Sequence, residues 1–237
     1  MSETDNTFDA AKTDAYSEVR RTMVEQQVRP WDVLDPRVLD RLEELPRERF
    51  FPPELAGLAY ADLELPLRDP ESGANLAKAL APKIVGRFAQ GARLDTTDTV
   101  LEIGTGSGYL TAVLAGLVAH VDSVERHEVL KLRARATLDA LGYDNTSLRT
   151  QTVTREWTAP RERYDAIIVT GAIAENTAFL ERMLAVGGRL IVTVGEAPAM
   201  QVQRITRLSI DAFKRETLFE TCLDPLAGFA AAPVFEF

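Results

Sequence analysis

The chain has 237 residues, of which 46% are hydrophobic and 27% are charged, and its formal net charge is −9. These values are ordinary for a globular protein made of one α/β domain with an extension, or of two small domains. They disfavour an extensive nucleic-acid surface, and no apolar run is long enough to span a membrane. The single cysteine, Cys222, allows no internal disulfide, which indicates a reducing, cytoplasmic compartment. The two histidines, His120 and His127, have no zinc-type spacing, so we expect no metal site.

The chain begins with a segment that predicts no packed structure, followed by two helices. Residues 1–14 are polar and mildly acidic and predict a disordered tail. Helical spacing follows over residues 16–28. A second helix is predicted over residues 35–45, because Asp35 is a favourable N-cap and Pro36 suits the first helical position.

A loop-rich passage, residues 60–76, separates these helices from a third. Residues 76–90 have helical spacing, and Pro82 within them implies a helix start or a kink. These features together predict that residues 15–92 form an irregular, mainly helical N-terminal region.

From residue 98 onwards, apolar strand-like runs alternate with helical patterns. This alternation predicts a parallel sheet covered by helices on both faces. The last two strand-like runs are joined by a short polar link and predict a closing antiparallel hairpin. The predicted strands are residues 99–103, 120–125, 147–153, 164–172, 189–195, 200–210 and 214–223, and the predicted helices are residues 109–118, 128–141 and 176–188.

Three glycines, Gly104, Gly106 and Gly108, fall within five positions directly after the first of these strands. Glycine loses more backbone entropy on folding than any other residue, so such a cluster is typical of a turn that lies against a ligand. In a doubly wound sheet, ligands bind outside the carboxyl ends of the strands, which is where this turn falls. A tight strand-to-helix turn with no ligand is the simpler alternative.

The residues around the turn indicate which ligand it suits. Tyr109 stands where a dinucleotide-binding fingerprint needs glycine or alanine. Glu102 would repel a pyrophosphate but suits an amino group. Glu125 ends the second strand, where a carboxylate can accept both hydroxyls of a ribose. A ligand with a ribose, an ammonium group and no phosphate matches S-adenosylmethionine better than a dinucleotide.

The chain resembles a known family, the protein-L-isoaspartate O-methyltransferases, which are class I S-adenosylmethionine-dependent methyltransferases. The resemblance covers roughly residues 20 to 200. It rests on the segments "MVEQQVRP", "LPRERFFPPEL", "YADLELPL", "VLEIGTGSGYLTAVLA", "VDSVER", "YDAIIVTGA" and "GGRLIVTVG". It implies a doubly wound, mostly parallel seven-stranded sheet of the Rossmann-like methyltransferase type, with a C-terminal antiparallel hairpin and a helical N-terminal extension.

The resemblance also implies a division of labour along the chain. Residues 15–92 would form the acceptor side and residues 93–237 the cofactor-binding domain, and the acceptor would be a protein or peptide that carries isoaspartate. Glu125 would hold the ribose, Arg126 would be a further cofactor-binding residue, and Thr170 and Gly171 would lie beneath the cofactor. The methionine part would be wrapped by Glu102, Gly104, Thr105, Gly106, Ser107 and Gly108.

Two motifs of the family are missing from this chain. The family usually has Thr-Ile-Ser-x-Pro after "LPL"; if Pro82 is its proline, Leu80 and Lys78 stand at the serine and threonine positions. Ser72, Asn75 and Lys78 are the local candidates to replace the lost hydroxyls, although a turn residue is the plainer interpretation of Ser72 and a solvated charge that of Lys78. The family's Gly-Asp-Gly is also absent, which leaves Gln151 and Thr152 as weaker adenine-side partners.

Methyl transfer to a carboxylate does not depend on the missing hydroxyls for a base. A carboxylate with a pKa of about 4 is already ionised at neutral pH, so alignment and desolvation would supply most of the rate. Four functions stay open from the sequence. They are an isoaspartyl methyltransferase, an enzyme of the same scaffold with another acceptor, a cofactor-binding protein without turnover, and a dinucleotide oxidoreductase, which the glycine spacing disfavours.

Overall fold

The computed structural model describes residues 16–229, so the predicted tail at residues 1–14 lies outside the described residues. Helix α1 is described over residues 16–23 and continues through a π-helical turn, Val24–Val28. This confirms the first predicted helix. Helix α2 is Pro36–Glu44, and the Asp35 side chain accepts a hydrogen bond from the backbone N–H of Arg37, as its predicted capping role requires. A 3₁₀ turn, Arg47–Phe50, and a short helix α3, Pro53–Ala56, follow.

The helix predicted over residues 76–90 is wrong in its first part. Residues Asn75–Ala79 form strand β2, which pairs antiparallel with strand β1, Leu65–Arg68, and helix α4 spans only Pro82–Gly91. Pairing with β1 makes residues 75–79 a strand, and because the residue before a proline avoids the helical region, Ala81 has an extended ψ of 148° and α4 begins only at Pro82. Strand β1 also lies within the passage that the sequence predicts to be loop.

The predicted main sheet is confirmed, with seven strands in the order β5-β4-β3-β6-β7-β8-β9. Strands β3 to β7 run parallel to one another, and β8 and β9 close the sheet as an antiparallel meander on β7. The strands are β3, Thr99–Ile103; β4, His120–Glu125; β5, Thr146–Thr150; β6, Tyr164–Ile173; β7, Leu184–Glu196; β8, Ala199–Arg207; and β9, Phe213–Glu220. The connecting helices are α5, Tyr109–Ala115; α6, Glu128–Ala140; and α7, Ala178–Glu181.

The helix predicted over residues 176–188 is shorter than expected. It is reduced to the single turn α7, and β7 begins at Leu184, which pairs with Tyr164 of β6. Gly187 has a φ of +86°, and a Cβ at Gly188 would lie 3.0 Å from the carbonyl oxygen of Tyr164. Both glycines therefore lie inside β7, although the predicted helix had extended to them.

The sheet buries apolar side chains on both faces, because alternate residues of a strand point to opposite sides. On β6, Ala166 and Ile168 belong to the core that includes the N-terminal region, and Ile167 and Val169 belong to the core on the opposite face. The N-terminal region therefore packs directly on the sheet and reaches its carboxyl edge. Within residues 16–229, no helix has both the length and the apolar character that a membrane span needs.

Candidate active site

A cavity lies at the carboxyl ends of β3, β4 and β6, where the strand order reverses around β3. This is the position at which doubly wound sheets bind ligands. The N-terminal region supplies one wall and the segment after β9 supplies another. The cavity brings together most of the residues predicted from the sequence, namely Lys78, Gly104, Thr105, Gly106, Ser107, Glu125, Arg126, Gln151, Thr152, Thr170 and Gly171.

The turn between β3 and α5 can be made only with glycine at its first position. Gly104 has a φ of +97°, and a Cβ there would lie 2.1 Å from Oγ1 of Thr170. That hydroxyl donates towards the carbonyl oxygens of Ile103 and Gly104, each at 3.0 Å. Thr170 on β6 therefore fixes the turn from the neighbouring strand, and the exposed backbone of the turn forms the cavity floor.

Gly108 serves packing and does not line the cavity. It has a φ of +85°, and a Cβ there would lie 2.9 Å from the Cβ of Ala134 on helix α6. The absent side chain lets the start of α5 approach α6 closely. Gly106, with a φ of +55°, is the member of the trio whose open side faces the cavity and Leu67 of β1.

Glu125 ends β4 and is buried in the cavity wall. Its Oε2 accepts a hydrogen bond from the backbone N–H of Gly106 at 3.0 Å, and its Oε1 accepts one from the N–H of His127 at 3.0 Å. A carboxylate oxygen has lone pairs for more than one donor, so both oxygens can still accept hydroxyl groups. The carboxylate therefore ties the glycine turn to β4 and presents a ribose-type acceptor pair to the cavity.

Glu102 lies beneath the cavity and is not part of its wall. Its side chain is fully buried, and its Oε2 accepts hydrogen bonds from Thr111 Oγ1 at 2.5 Å and Ser123 Oγ at 2.6 Å. Burial raises the pKa of Glu102 to about 8, against the opposing effect of the two hydroxyls. Ser123 also contacts Thr105 Oγ1 at 2.5 Å, so Glu102 reaches the cavity only through this hydroxyl relay.

The acceptor wall carries a cluster of three charges from three separate segments. Lys78 on β2 places its Nζ 3.0 Å from Oδ1 of Asp224 and 3.7 Å from Oε2 of Glu64. Burial raises the pKa of Glu64, and the hydrogen bond that Lys78 donates to Asp224 is the main cause of the raised pKa of Lys78. Asp224 belongs to a segment bonded to β6, where the Ala172 N–H donates to its carbonyl oxygen at 2.9 Å. The sequence motifs did not predict Glu64 or Asp224 as site residues.

Ser72, the other predicted acceptor-side residue, lies in an exposed turn outside the cavity. Its backbone N–H donates to Oδ1 of Asp69 at 2.8 Å, and its hydroxyl accepts from the N–H of Ala74. The structure therefore gives Ser72 a turn-forming position and brings Lys78 alone of the two into the cavity.

The side of the cavity near β5 is polar, and among the described residues that line it Glu125 is the carboxylate. Gln151 uses its Oε1 to accept a hydrogen bond from Trp157 Nε1 at 3.1 Å, and Thr152 lines the cavity beside it. His127 Nε2 is buried there without a partner among the described residues. Within residues 16–229, no group of three or more His, Cys, Asp or Glu side chains could hold a metal ion.

A parallel sheet with this strand order, a glycine turn after its first strand and an acidic residue at the end of the next strand define a methyltransferase-type nucleoside-binding fold. Comparison with known proteins narrows this class. The family model for protein-L-isoaspartate(D-aspartate) O-methyltransferase (PCMT) matches residues 18–228, and the chain belongs to this family.

Individual relatives agree with this assignment. The chain is 38% identical over 207 residues to a protein-L-isoaspartate O-methyltransferase of Rhodopseudomonas palustris, covering 87% of this chain and 92% of the relative. It is 36% identical over 213 residues to one from Syntrophotalea carbinolica, covering 90% and 95% of the two chains. A Plasmodium falciparum structure described as a protein-L-isoaspartate O-methyltransferase in complex with S-adenosyl-L-homocysteine shares the fold. It has a TM-score of 0.71 and 18% identity, over 87% of this chain and 97% of that chain.

Proposed function

We propose that this protein transfers a methyl group from S-adenosylmethionine to a carboxylate of isoaspartyl residues in proteins or peptides. The observation that carries the proposal is the single cavity in which the glycine turn, Glu125 and the charged acceptor wall meet, in a chain of the PCMT family. Residues 93–237 are the cofactor-binding domain of this proposal, and residues 15–92 are its acceptor side.

The cavity fits the cofactor without a phosphate site. Glu125 would accept the two ribose hydroxyls, and the backbone at Gly104 and Gly106, where side chains are excluded or absent, would lie against the methionine part. The bound cofactor supplies an electrophilic methyl group on a sulfonium sulfur. Thr105, Ser107 and Gly108 complete the turn, Arg126, Gln151 and Thr152 would border the adenosine, and Thr170 and Gly171 would lie beneath it. Glu102 would act through the hydroxyls of Ser123 and Thr105.

On the acceptor side, the chain needs to orient and desolvate a carboxylate that is already ionised. Lys78 is a cation in the wall that could receive it, in exchange for its present partner Asp224. No general base is required for this reaction, and the wall combines its charged groups with apolar residues such as Leu80. We assign no part of the site to Ser72.

A polypeptide acceptor suits this site better than a nucleic acid. Glu64 and Asp224 place two carboxylates at the cavity mouth, and the whole chain carries a net charge of −9. Both would repel a phosphate backbone. We also propose a cytoplasmic location, which is supported by the single, unpaired Cys222.

The test is methyl transfer from labelled S-adenosylmethionine to two synthetic peptides of one sequence, the first with isoaspartate and the second with aspartate at the same position. We expect base-labile methyl ester on the isoaspartyl peptide only. Binding of S-adenosylmethionine without transfer to the isoaspartyl peptide would contradict the acceptor and favour another acceptor on the same scaffold. Binding of NADH in place of S-adenosylmethionine would contradict the cofactor.

A further inference from the structure

Arg47 is a buried cation in the wall of the cavity that the sequence motifs did not identify. It begins the 3₁₀ turn after α2 and is only 1% exposed. Its Nε donates to the carbonyl oxygen of Ala59 at 2.6 Å, and its Nη2 donates to that of Leu80 at 2.8 Å. Its Cζ lies 4.4 Å from the ring centroid of Tyr109, at the start of α5. The guanidinium is thus held rigidly between the acceptor side and the glycine turn.

This guanidinium has no counter-ion within residues 16–229, and its Nη1 has no hydrogen-bond acceptor there. Burying an unpaired charge costs several kcal/mol, and burial lowers the pKa of Arg47 to about 10. The group nevertheless stays a cation at neutral pH. Nη1, with its two N–H groups, therefore has no acceptor among these residues, and one positive charge beside the cavity is uncompensated.

Arg207 on β8 shows what a purely structural buried arginine looks like in the same chain. It is 7% exposed, forms no ion pair within residues 16–229 and packs over the ring of Phe213. All three of its nitrogens donate to backbone carbonyls, those of Ser209, Leu184 and Ile210. It does not line the cavity. Arg47 differs in the two features that matter for a ligand, its free Nη1 and its place in the cavity wall.

We propose that Arg47 is a carboxylate-binding residue, whose free Nη1 pairs with a carboxylate of a molecule bound in the cavity. A carboxylate there would satisfy the open donor and neutralise the buried charge in one contact, and such charge-assisted bonds are the strong ones. The inference rests on the proposed function, which brings two carboxylates to this cavity. One is the amino-acid carboxylate of the cofactor and the other is the carboxylate of the acceptor.

The experiment compares Arg47→Met with Arg207→Met, a matched loss of a buried arginine held by backbone carbonyls. Calorimetry gives the Kd of S-adenosylhomocysteine and of its decarboxylated analogue, and steady-state kinetics gives the KM of the isoaspartyl peptide at saturating S-adenosylmethionine. If Arg47 holds the cofactor, the Kd of S-adenosylhomocysteine rises at least tenfold in Arg47→Met, and the Kd of the analogue is unchanged. If it holds the acceptor, the peptide KM rises at least tenfold and both Kd values are unchanged. Arg207→Met should change melting temperature only.

Arg47→Lys supplies a test that a structural role would not pass, because it restores the charge. We expect it to recover part of the lost affinity for the carboxylate-bearing molecule. Arg47→Lys also replaces Arg47→Met in the experiment if Arg47→Met does not fold. One ammonium group cannot bond both backbone carbonyls and a carboxylate, so the lysine variant should still bind the carboxylate less well than arginine does. In that case we expect the affected constant to change at least threefold in Arg47→Lys relative to wild type.

Two results would overturn the assignment. The first is a folded Arg47 variant whose Kd for S-adenosylhomocysteine and peptide KM match those of Arg207→Met. The second is an equal loss of affinity for S-adenosylhomocysteine and its decarboxylated analogue with an unchanged peptide KM, which would indicate distortion of the cavity. Failure of the wild-type protein to bind S-adenosylhomocysteine would instead contradict the proposed function itself.

Discussion

Glu125 is the residue on which the proposed cofactor site depends most. Its two carboxylate oxygens already accept backbone hydrogen bonds from Gly106 and His127, so truncation to alanine would loosen the turn as well as the ligand. Glu125→Gln keeps the shape and one acceptor but loses the charge. We expect it to weaken S-adenosylhomocysteine binding by about 1.5–3 kcal/mol, the scale of a hydrogen bond to a charged group. Calorimetric titration measures this change.

The matched control for that substitution is Glu128→Gln at the start of α6. Glu128 is exposed and pairs with Lys131, away from the cavity wall. Its substitution should leave the Kd unchanged. An equal Kd in the Glu125 and Glu128 variants would contradict the position that we give to the ribose.

The buried carboxyl of Glu102 should make the stability of the ligand-free protein depend on pH. Its pKa of about 8 lies above the ordinary 4.5, so between these values the folded protein holds a proton that the unfolded chain has released. The free energy of unfolding contributed by this group therefore falls as the pH rises through that window. Glu102→Gln is neutral and keeps a carbonyl for Thr111 and Ser123. It should lose less stability than wild type between about pH 5 and about pH 8 in urea unfolding. Parallel pH profiles of the two proteins would contradict the buried, protonated carboxyl.

At the scale of the element, two glycine-to-alanine substitutions, at Gly104 and at Gly142, test whether the β3–α5 turn shapes the cofactor site. Gly104→Ala would force a positive φ and also drive a Cβ into the Thr170 hydroxyl, whereas Gly142 has a φ of +78° with nothing within 4 Å. Gly142→Ala should cost about 1–2 kcal/mol of stability for the strained backbone, and Gly104→Ala should cost more because its Cβ also meets the Thr170 hydroxyl. Only Gly104→Ala should also weaken S-adenosylhomocysteine binding, by more than tenfold in calorimetry. Equal affinities in the two variants would show that the turn does not shape the site.

The ion pair that joins β2 to the segment after β9 is expected to affect binding of the acceptor. Lys78→Met removes the contact with Asp224 at the cavity mouth, and since Lys78 is half exposed, little stability should be lost. We expect a severalfold rise in peptide KM with an unchanged Kd for S-adenosylhomocysteine. Lys214→Met is the control, because Lys214 pairs with Glu216 on β9, outside the cavity wall. The same peptide KM in both variants would remove Lys78 from the acceptor site.

Elements also show what the sequence could predict and what it could not. The glycine turn, Glu125 and the alternation of strands and helices follow from patterns that are contiguous along the chain. The helix predicted over residues 76–90 failed in its first part because strand pairing with β1 overrode its periodicity, and α7 is short because β7 begins at Leu184 and pairs with β6. The Lys78–Asp224 pair joins positions 146 residues apart, so no local pattern could reveal it. The place of Arg47 in the site could not be predicted for a similar reason, because only the fold brings its guanidinium into the cavity wall.

For the whole molecule, cofactor binding should stabilise the fold, because the cavity joins the sheet, the N-terminal region and the segment after β9. S-adenosylhomocysteine at 100 times its Kd should add about 2.7 kcal/mol to the free energy of unfolding. For a chain of this size that corresponds to a rise in Tm of roughly 5–11 °C. Thermal unfolding with NADH at the same concentration should show no rise. A rise with NADH alone would contradict a phosphate-free site.

The most direct measurement is a crystal structure of the protein with S-adenosylhomocysteine. We predict the nucleoside at the carboxyl ends of β3 and β4, with both ribose hydroxyls within hydrogen-bond distance of the Glu125 carboxylate. A ligand bound elsewhere, or a ribose held by another group while Glu125 keeps only its two backbone contacts, would contradict the account.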